Sequence, residues 1–136
     1  MSSSPMVFVN LVVQDLPAEK AFFEKLGLTF NPQFTSDEAA CMVVNDRAFF
    51  MIHTPGSMAR FSSLPASDPR THVSAIFALS ADSREEVDRL ADLALASGGT
   101  AYNPVSDLGF MYLRSFRDPN GHPWEVFWMD PGNVQS

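Results

Sequence analysis

The sequence predicts an α+β fold built from two copies of one pattern, in which a strand and a helix are followed by three strands. Three observations predict it. Alternating apolar residues open each half, a capped amphipathic segment follows each opening strand, and short strand-like runs separated by turn residues complete each half. The length of 136 residues is that of one domain. We therefore interpret residues 1–136 as a single domain with an internal duplication.

The first module spans about residues 6–54. Its opening strand is indicated by the alternation in residues 7–13. Asp15 is a helix-capping residue and Pro17 suits a first helical turn, so a helix is expected up to about residue 26, where Gly27 stops it. Three further strands are predicted at residues 29–34, 40–44 and 48–53.

A connector is predicted at residues 55–70. Prolines and serines interrupt it, which favours neither a strand nor a long helix. Its scattered apolar residues, Met58, Phe61 and Leu64, indicate that it packs against another part of the protein.

The second module spans about residues 71–131. A strand is predicted at residues 72–79, and Ser83 with Glu86 forms a capping box for the following helix. Gly98 ends that helix. Three more strands are predicted at residues 100–103, 110–116 and 123–129.

The composition excludes several classes of partner. The net charge is −7 with only nine Lys and Arg, so binding to nucleic acid or to an anionic membrane is not expected. The single cysteine, Cys41, forms no internal disulfide, which favours a cytoplasmic protein. The sequence has neither the pattern of a signal peptide nor an apolar run that would span a membrane.

Two segments resemble a known family. Residues 10–16 (NLVVQDL) resemble the opening of the vicinal oxygen chelate superfamily, and residues 118–126 (DPNGHPWEV) resemble its closing hairpin. The resemblance extends over about residues 7–131. It implies paired βαβββ modules that form a cup-shaped mixed sheet, often within a homodimer. Glyoxalases, bleomycin-sequestering proteins and extradiol dioxygenases share this fold, so it does not imply one reaction.

Alternation predicts which side chains line the cup. One face of each opening strand is apolar and is expected to pack on the helices, which leaves the other face for the cup. Aligning the two hairpins makes Met51 the counterpart of Glu125, and His53 the counterpart of Phe127. The predicted pocket residues are Phe8, Asn10, Met51, His53, His72, Ser74, Met111 and Phe127, together with Glu125.

Metal-using relatives place ligands at four positions, which the resemblance transfers to Phe8, Met51, Ser74 and Glu125. Only Glu125 is a good ligand for the usual divalent ions, because phenylalanine cannot coordinate, methionine is too soft and a neutral serine is weak. One carboxylate does not hold a catalytic ion. We therefore predict no bound metal and no cofactor.

Alternative roles remain for two histidines, one glutamate and two arginines. A displaced metal site would use His53, His72 and Glu125, whereas the preferred interpretation places both histidines at the cup rim or loop edge. Glu125 is either a general base or a hydrogen-bond acceptor for a ligand, or it is a remnant acid that is hydrogen-bonded to Ser74 or to water. Arg117, like its neighbour Arg114, is expected to form an ion pair, with binding of an anionic ligand as the alternative.

The predicted function is the binding of a small apolar or aromatic molecule by a cytoplasmic homodimer without a metal, with Glu125 as a possible acid/base. One alternative is a metal-dependent lyase, isomerase or dioxygenase that uses His53, His72 and Glu125. The other is non-catalytic sequestration, in which the acidic surface attracts a cationic drug.

Overall fold

The computed structural model describes residues 4–133, and the chain divides between Ser67 and Asp68 into two compact units. We call them unit 1 and unit 2. Each unit contains a strand, a helix and further strands in the order that the sequence predicts. The α+β class with two βαβββ modules is confirmed. No helix in the part of the chain that the structure describes is long and apolar enough to cross a membrane.

Unit 1 contains one four-stranded sheet. Its strand order is β1-β4-β3-β2, with β1 parallel to β4 and the other neighbours antiparallel. The elements are β1 (Val7–Val12), α1 (Leu16–Lys25), β2 (Thr29–Phe30), β3 (Ala39–Val43), β4 (Ala48–His53) and α2 (Pro55–Met58).

The helix α1 begins and ends where the sequence indicates. The Asp15 carboxylate accepts a hydrogen bond from the Ala18 amide at 3.0 Å, which satisfies one of the free amides of the first turn. Gly27 follows the last turn with φ of 95°, a conformation that favours glycine. The helix contributes Phe22 and Phe23 to the core of unit 1, where both are almost completely buried.

The predicted strand at residues 29–34 is too long. The strand β2 ends at Phe30, and a 3-10 turn follows at Pro32–Phe34. The Asn31 carboxamide caps this turn by accepting a hydrogen bond from the Gln33 amide at 2.9 Å, and Pro32 has no amide hydrogen to donate to a neighbouring strand. This local capping ends the strand.

Unit 2 contains a five-stranded sheet. The order is β5-β9-β8-β6, with β5 parallel to β9, and an additional short strand, β7, pairs with β8. The sequence did not indicate β7. The elements are β5 (Phe77–Ser80), α3 (Arg84–Ala96), β6 (Thr100–Ala101), β7 (Ser106–Asp107), β8 (Met111–Arg117) and β9 (Pro123–Met129).

The predicted strand at residues 72–79 begins too early. The strand β5 starts at Phe77, so His72 and Ser74 precede it. A turn occupies the start of the predicted strand, because the Asp68 carbonyl accepts hydrogen bonds from the amides of Thr71 and His72. The apolar alternation in this stretch does not mark a buried face.

Candidate ligand-binding site

Each sheet has a face that packs on its helix and a second face, which we call the open face. In unit 1 the buried apolar side chains of β1 and β4 are Leu11, Phe50 and Ile52. Because side chains alternate along a strand, the intervening residues lie on the open face. Their cross-strand pairs are Phe8 with Phe49, Asn10 with Met51, and Val12 with His53.

An aromatic pair occupies one end of this open face. The rings of Phe8 and Phe49 are stacked, with centroids 4.7 Å apart and planes 12° apart. Phe8 remains 48% exposed. Contiguous exposed apolar patches mark binding surfaces, whereas single exposed apolar side chains do not. The sequence analysis omitted Phe49, although its alternation with Met51 in β4 places it on the same face.

His53 is buried and hydrogen-bonded at both ring nitrogens, contrary to the predicted position at a rim or loop edge. Only 2% of the residue is exposed. Nδ1 lies 2.8 Å from the Ser57 hydroxyl oxygen, and Nε2 lies 2.8 Å from Oδ1 of Asn10. Burial lowers the pKa of His53, because the low-polarity surroundings disfavour the charged ring.

Ser57 was missed by the sequence analysis. The residue lies four positions after His53 in α2, a helix of four residues that Thr54 caps. The Ser57 amide donates to the Thr54 hydroxyl at 3.2 Å, and this capped turn places Ser57 beside His53, the last residue of β4. Thr54 followed by Pro55 was the available signal for such a turn.

The connector packs against unit 1. The Phe61 ring lies 5.2 Å from the His53 ring, and Nη2 of Arg60 donates to both carboxylate oxygens of Glu38 at 2.7 and 2.9 Å. A groove of about 370 Å³ lies between the connector and Val12 of β1. The connector therefore covers the part of the open face that carries His53.

Cys41 lies on the open face opposite Met51 but is only 2% exposed. Burial raises the pKa of the Cys41 thiol, so the residue remains protonated and unreactive at neutral pH. This supports its interpretation as a small buried apolar residue.

The open face of unit 2 carries the predicted acid. Glu125 of β9 pairs with Ser115 on one side and Ala78 on the other. Phe127 and Met111 lie on the same face, since Phe127 follows Glu125 by two residues and Met111 precedes Ser115 by four. The opposite face is buried through Trp124, Val126 and Phe116.

The Glu125 carboxylate is half-buried and makes no hydrogen bond or ion pair with any residue from 4 to 133. The neighbouring Ser115 hydroxyl accepts from the Asn103 amide at 2.8 Å and is directed to that loop instead. Ser74, the partner expected for a remnant acid, is exposed and does not bond to Glu125. An acid that is left half-buried without a partner requires explanation.

Arg117 lies on the same face as Glu125. Its guanidinium stacks over the Tyr102 ring at 4.9 Å, and its Nε is buried without a hydrogen-bond partner. The expected ion pair is therefore absent for Arg117 among the described residues. For Arg114 it is confirmed, because that side chain bonds to Asp88 and Asp92 of α3.

The motif at residues 118–126 organises the hairpin that positions Glu125. One oxygen of the buried Asp118 carboxylate accepts from the amides of Asn120 and His122 at 2.9 and 3.0 Å. The other accepts from the Trp124 indole at 2.9 Å. This carboxylate fixes both the turn and the first buried side chain of β9, so Glu125 faces away from the core.

The strand registers show which residues of the two units correspond. The hairpins of the two units are equally long, with the same number of residues between their closing pairs. Counting from those pairs, Met51 corresponds to Glu125, as the sequence alignment of the hairpins predicts. The pairs that establish this are Val43 with Phe49 and Cys41 with Met51 in unit 1, and Arg117 with Pro123 and Ser115 with Glu125 in unit 2.

The parallel strands correct one expected counterpart. Asn10 pairs with Met51 in unit 1, and Ala78 pairs with Glu125 in unit 2. Asn10 therefore corresponds to Ala78, and two residues earlier Phe8 corresponds to Ile76 rather than to Ser74. Ser74 was expected at this position because the predicted strand began too early in the sequence. The corrected residue is apolar and has no atom that binds a metal.

The predicted displaced metal site is not assembled in the structure. His72 is exposed in the turn before β5, and its Nδ1 lies 2.9 Å from the Thr71 hydroxyl. Both nitrogens of His53 already have partners. Within residues 4–133, no group of three His, Cys, Asp or Glu side chains is arranged to hold a metal ion.

Comparisons with known proteins agree with this geometry. Residues 6–45 match the family described as Bleomycin resistance protein-like N-terminal. The chain also superimposes on hypothetical protein SA1046 from S. aureus, with 22% identity, 94% of each chain covered and a TM-score of 0.77. This is the fold of the vicinal oxygen chelate superfamily. The resemblance that the two sequence segments indicated is confirmed.

Further solved structures share this fold over nearly their full length. A glyoxalase/bleomycin resistance protein/dioxygenase family enzyme from Burkholderia phytofirmans PsJN is 17% identical, with 93% of this chain and 99% of that chain covered and a TM-score of 0.76. The fosfomycin resistance protein FosX from Mesorhizobium loti is 14% identical, with coverages of 94% and 93% and a TM-score of 0.68. The comparison with curated proteins found no match.

Proposed function

We propose that this protein binds a small apolar or aromatic molecule on the open faces of its sheets, without a bound metal. In this proposal Glu125 acts as an acid/base or as a hydrogen-bond acceptor for the ligand. The residues proposed for ligand contact are Phe8, Asn10 and Met51 on the open face of unit 1, and Met111, Glu125 and Phe127 on the open face of unit 2. His53 forms a hydrogen bond with Asn10 and is proposed to position it rather than to contact the ligand. His72 and Ser74 are no longer proposed as contacts, because they precede β5.

The observation that carries the proposal is the half-buried Glu125 carboxylate without a partner in residues 4–133. A carboxylate that loses part of its water without gaining a hydrogen bond reduces the stability of the fold. Such groups occur at functional sites, where a ligand completes their interactions. The surrounding Phe127 and Met111 provide the apolar contacts that small-molecule sites use.

The residue types support binding without a metal. The four positions that hold ligands in metal-using relatives correspond, after the register correction, to Phe8, Met51, Ile76 and Glu125. Three of these side chains do not coordinate the usual divalent ions. These residues do not fit a catalytic metal, which requires about three protein ligands.

Paired substitutions test the role of Glu125. Glu125→Gln keeps the size of the side chain and removes its charge, and Glu24→Gln does the same at an exposed position of α1. We expect aromatic fragments detected by saturation-transfer NMR to bind Glu125→Gln roughly 10- to 100-fold more weakly when they carry a hydrogen-bond donor, since bonds to charged groups contribute about 1.5–3 kcal/mol. Binding to Glu24→Gln should be unchanged. Equal affinities for all three proteins would contradict the proposed role.

Elemental analysis tests the absence of a metal. The protein and its Glu125→Ala variant would both be purified without chelators. The iron, zinc, manganese and nickel content of each would then be measured. We expect substoichiometric metal in both. A near-stoichiometric metal that disappears in Glu125→Ala would overturn the metal-free proposal.

Sequestration of a cationic drug is a second candidate. The match of residues 6–45 to the bleomycin-resistance-like family and the net charge of −7 favour it. Calorimetric titration with bleomycin separates the two candidates. Tight binding that Glu125→Gln leaves unchanged, without conversion of the ligand, would favour sequestration, whereas no binding would remove this candidate.

A further inference from the structure

Three polar side chains of unit 1 form a chain of hydrogen bonds that ends at the open face. We propose that Ser57 and His53 orient the Asn10 carboxamide so that its NH2 group faces the ligand and binds an acceptor oxygen. The ligand class that follows is an aromatic compound carrying a carbonyl or carboxylate group. This inference rests on the proposed function and specifies the ligand at the open face of unit 1.

The series of hydrogen bonds begins at Ser57, which is 3% exposed. Its hydroxyl oxygen lies 2.8 Å from His53 Nδ1 and has no other hydrogen-bond partner in the described residues. A buried hydroxyl proton without an acceptor is unfavourable, so the Ser57 hydroxyl donates to Nδ1. Nδ1 is therefore an acceptor and carries no proton.

The protonation of His53 follows from this arrangement. A neutral imidazole carries one proton, and with Nδ1 as the acceptor that proton lies on Nε2. Burial of the ring favours this neutral form by lowering its pKa. The Phe61 ring at 5.2 Å contributes to that burial.

The position of the proton determines the orientation of Asn10. Nε2–H donates across 2.8 Å to the carboxamide oxygen of Asn10. The reverse orientation of the amide would bring two donors together, so the hydrogen-bond network assigns this one. The NH2 group of Asn10 then points away from His53, and it has no partner among residues 4–133.

The neighbours of Asn10 define the rest of the ligand. Asn10 pairs with Met51, and the stacked rings of Phe8 and Phe49 begin two residues earlier on the same face. Stacked and edge contacts with phenylalanine rings favour an aromatic ligand. An N–H group of the Asn10 carboxamide beside this aromatic surface suits the acceptor oxygen of a carbonyl or carboxylate group.

The network can be tested without a ligand. Long-range 1H–15N spectra of protein labelled in histidine report which imidazole nitrogen carries the proton. We expect the Nε2–H tautomer for His53 at pH 7.5, with its resonances identified by their loss in His53→Gln. Ser57→Ala should produce a mixture of tautomers, and Ser57→Thr, which keeps the hydroxyl, should restore the single form. An Nδ1–H tautomer in the unsubstituted protein would overturn the inference.

The ligand class is tested with matched probes. Acetophenone and α-methylstyrene have nearly the same shape, but only acetophenone has an acceptor oxygen. We expect NMR titration to show acetophenone binding roughly five- to tenfold more tightly, the ratio that one hydrogen bond provides. Asn10→Leu, and as a second variant Asn10→Asp, should abolish the difference while α-methylstyrene still binds.

The outcomes distinguish this inference from the proposed function. Equal binding of both probes retains the proposed aromatic site and overturns the role of Asn10. Binding of neither probe overturns the proposed function and this inference together. A preference for acetophenone that persists in both Asn10→Leu and Asn10→Asp overturns the role of Asn10 alone.

Discussion

Three buried or half-buried polar residues differ in whether other residues of the protein form hydrogen bonds with their side chains. Asp118 accepts three hydrogen bonds, and His53 has a partner at each ring nitrogen. Glu125 has none among the described residues. The hydrogen bonds of the first two stabilise the fold, and this contrast is the reason why we propose that a ligand contacts Glu125.

His53 should make the stability of the protein dependent on pH. Its pKa in the folded state is lowered by burial, whereas in the unfolded chain it is about 6.5. As the pH falls below about 6.5, His53 binds a proton in the unfolded chain before it does so in the folded protein. The free energy of unfolding therefore decreases between a pH of about 6.5 and the lower pKa of His53 in the folded state. We expect the urea-induced unfolding midpoint to fall over this window.

Two substitutions identify the histidine responsible. His53→Gln should flatten the dependence on pH, and the same substitution at the exposed His72 should leave it unchanged. A dependence that persists in His53→Gln would show that another group causes it.

Asp118→Asn should destabilise the protein by about 1–3 kcal/mol, because the new amide turns an N–H group towards the donors that the carboxylate now accepts from. Asp68→Asn is the matched control, since among residues 4–133 the exposed Asp68 side chain accepts only the Arg70 amide at 2.9 Å, and asparagine serves equally well there. Urea denaturation measures both. Similar losses for the two variants would contradict the role of the Asp118 network.

At the scale of single elements, the turn between β8 and β9 has a backbone conformation and a close contact that both favour glycine. Gly121 has φ of 96°, and a Cβ placed there would approach Cγ of Arg70 to 2.7 Å. Arg70 also donates to the Pro119 carbonyl at 3.0 Å, so it is held across the turn. Gly121→Ala should therefore cost at least the roughly 1–3 kcal/mol of an unfavourable backbone conformation.

Alanine substitutions at two other glycines distinguish the cost of the backbone conformation from the cost of the contact with Arg70. Gly27 has φ of 95° and free space around it, so Gly27→Ala should show the backbone cost alone. Gly56 in α2 has neither constraint, and Gly56→Ala should be neutral or stabilising by about 0.4–1 kcal/mol. Chemical denaturation that ranks Gly121→Ala as no worse than Gly27→Ala would rule out the contact with Arg70 as a constraint.

Periodicity predicted the long elements well. The strand β4 has the predicted bounds, and α1 begins after Asp15 as its cap indicates. The errors lie where a local hydrogen bond competes with the sheet. The capped turn at Asn31 shortens β2, and the turn at Asp68 delays β5. Alternation measures the preference for a strand but does not detect such competitors.

The same limits apply to the candidate site. Alternation predicted that Glu125 and Phe127 share a face, because β9 is regular along its length. Ser74 was chosen wrongly because the start of β5 was wrong. Ser57 was missed because a helix of four residues has no measurable period.

For the whole molecule, we propose the homodimer that the resemblance implies. The connector and the segment before β5 carry strongly exposed apolar residues, with Phe61 at 72%, Leu64 at 78% and Val73 at 62% exposure. Exposed apolar groups of this size favour burial by a partner. Light scattering after size exclusion should give twice the 15.0 kDa of one chain. A mass of 15.0 kDa at micromolar concentration would contradict the dimer.

The distribution of aromatic residues between the units has a consequence for spectroscopy. Trp124 and Trp128 lie in β9 and Tyr112 lies in β8, and the second tyrosine, Tyr102, is also in unit 2. Unit 1 has only phenylalanine as an aromatic residue. Intrinsic fluorescence excited at the tryptophan band therefore originates in unit 2, whereas far-ultraviolet circular dichroism detects both units. Unfolding curves that coincide for the two signals would show that the units unfold together, and separate curves would show that one half of the duplication unfolds without the other.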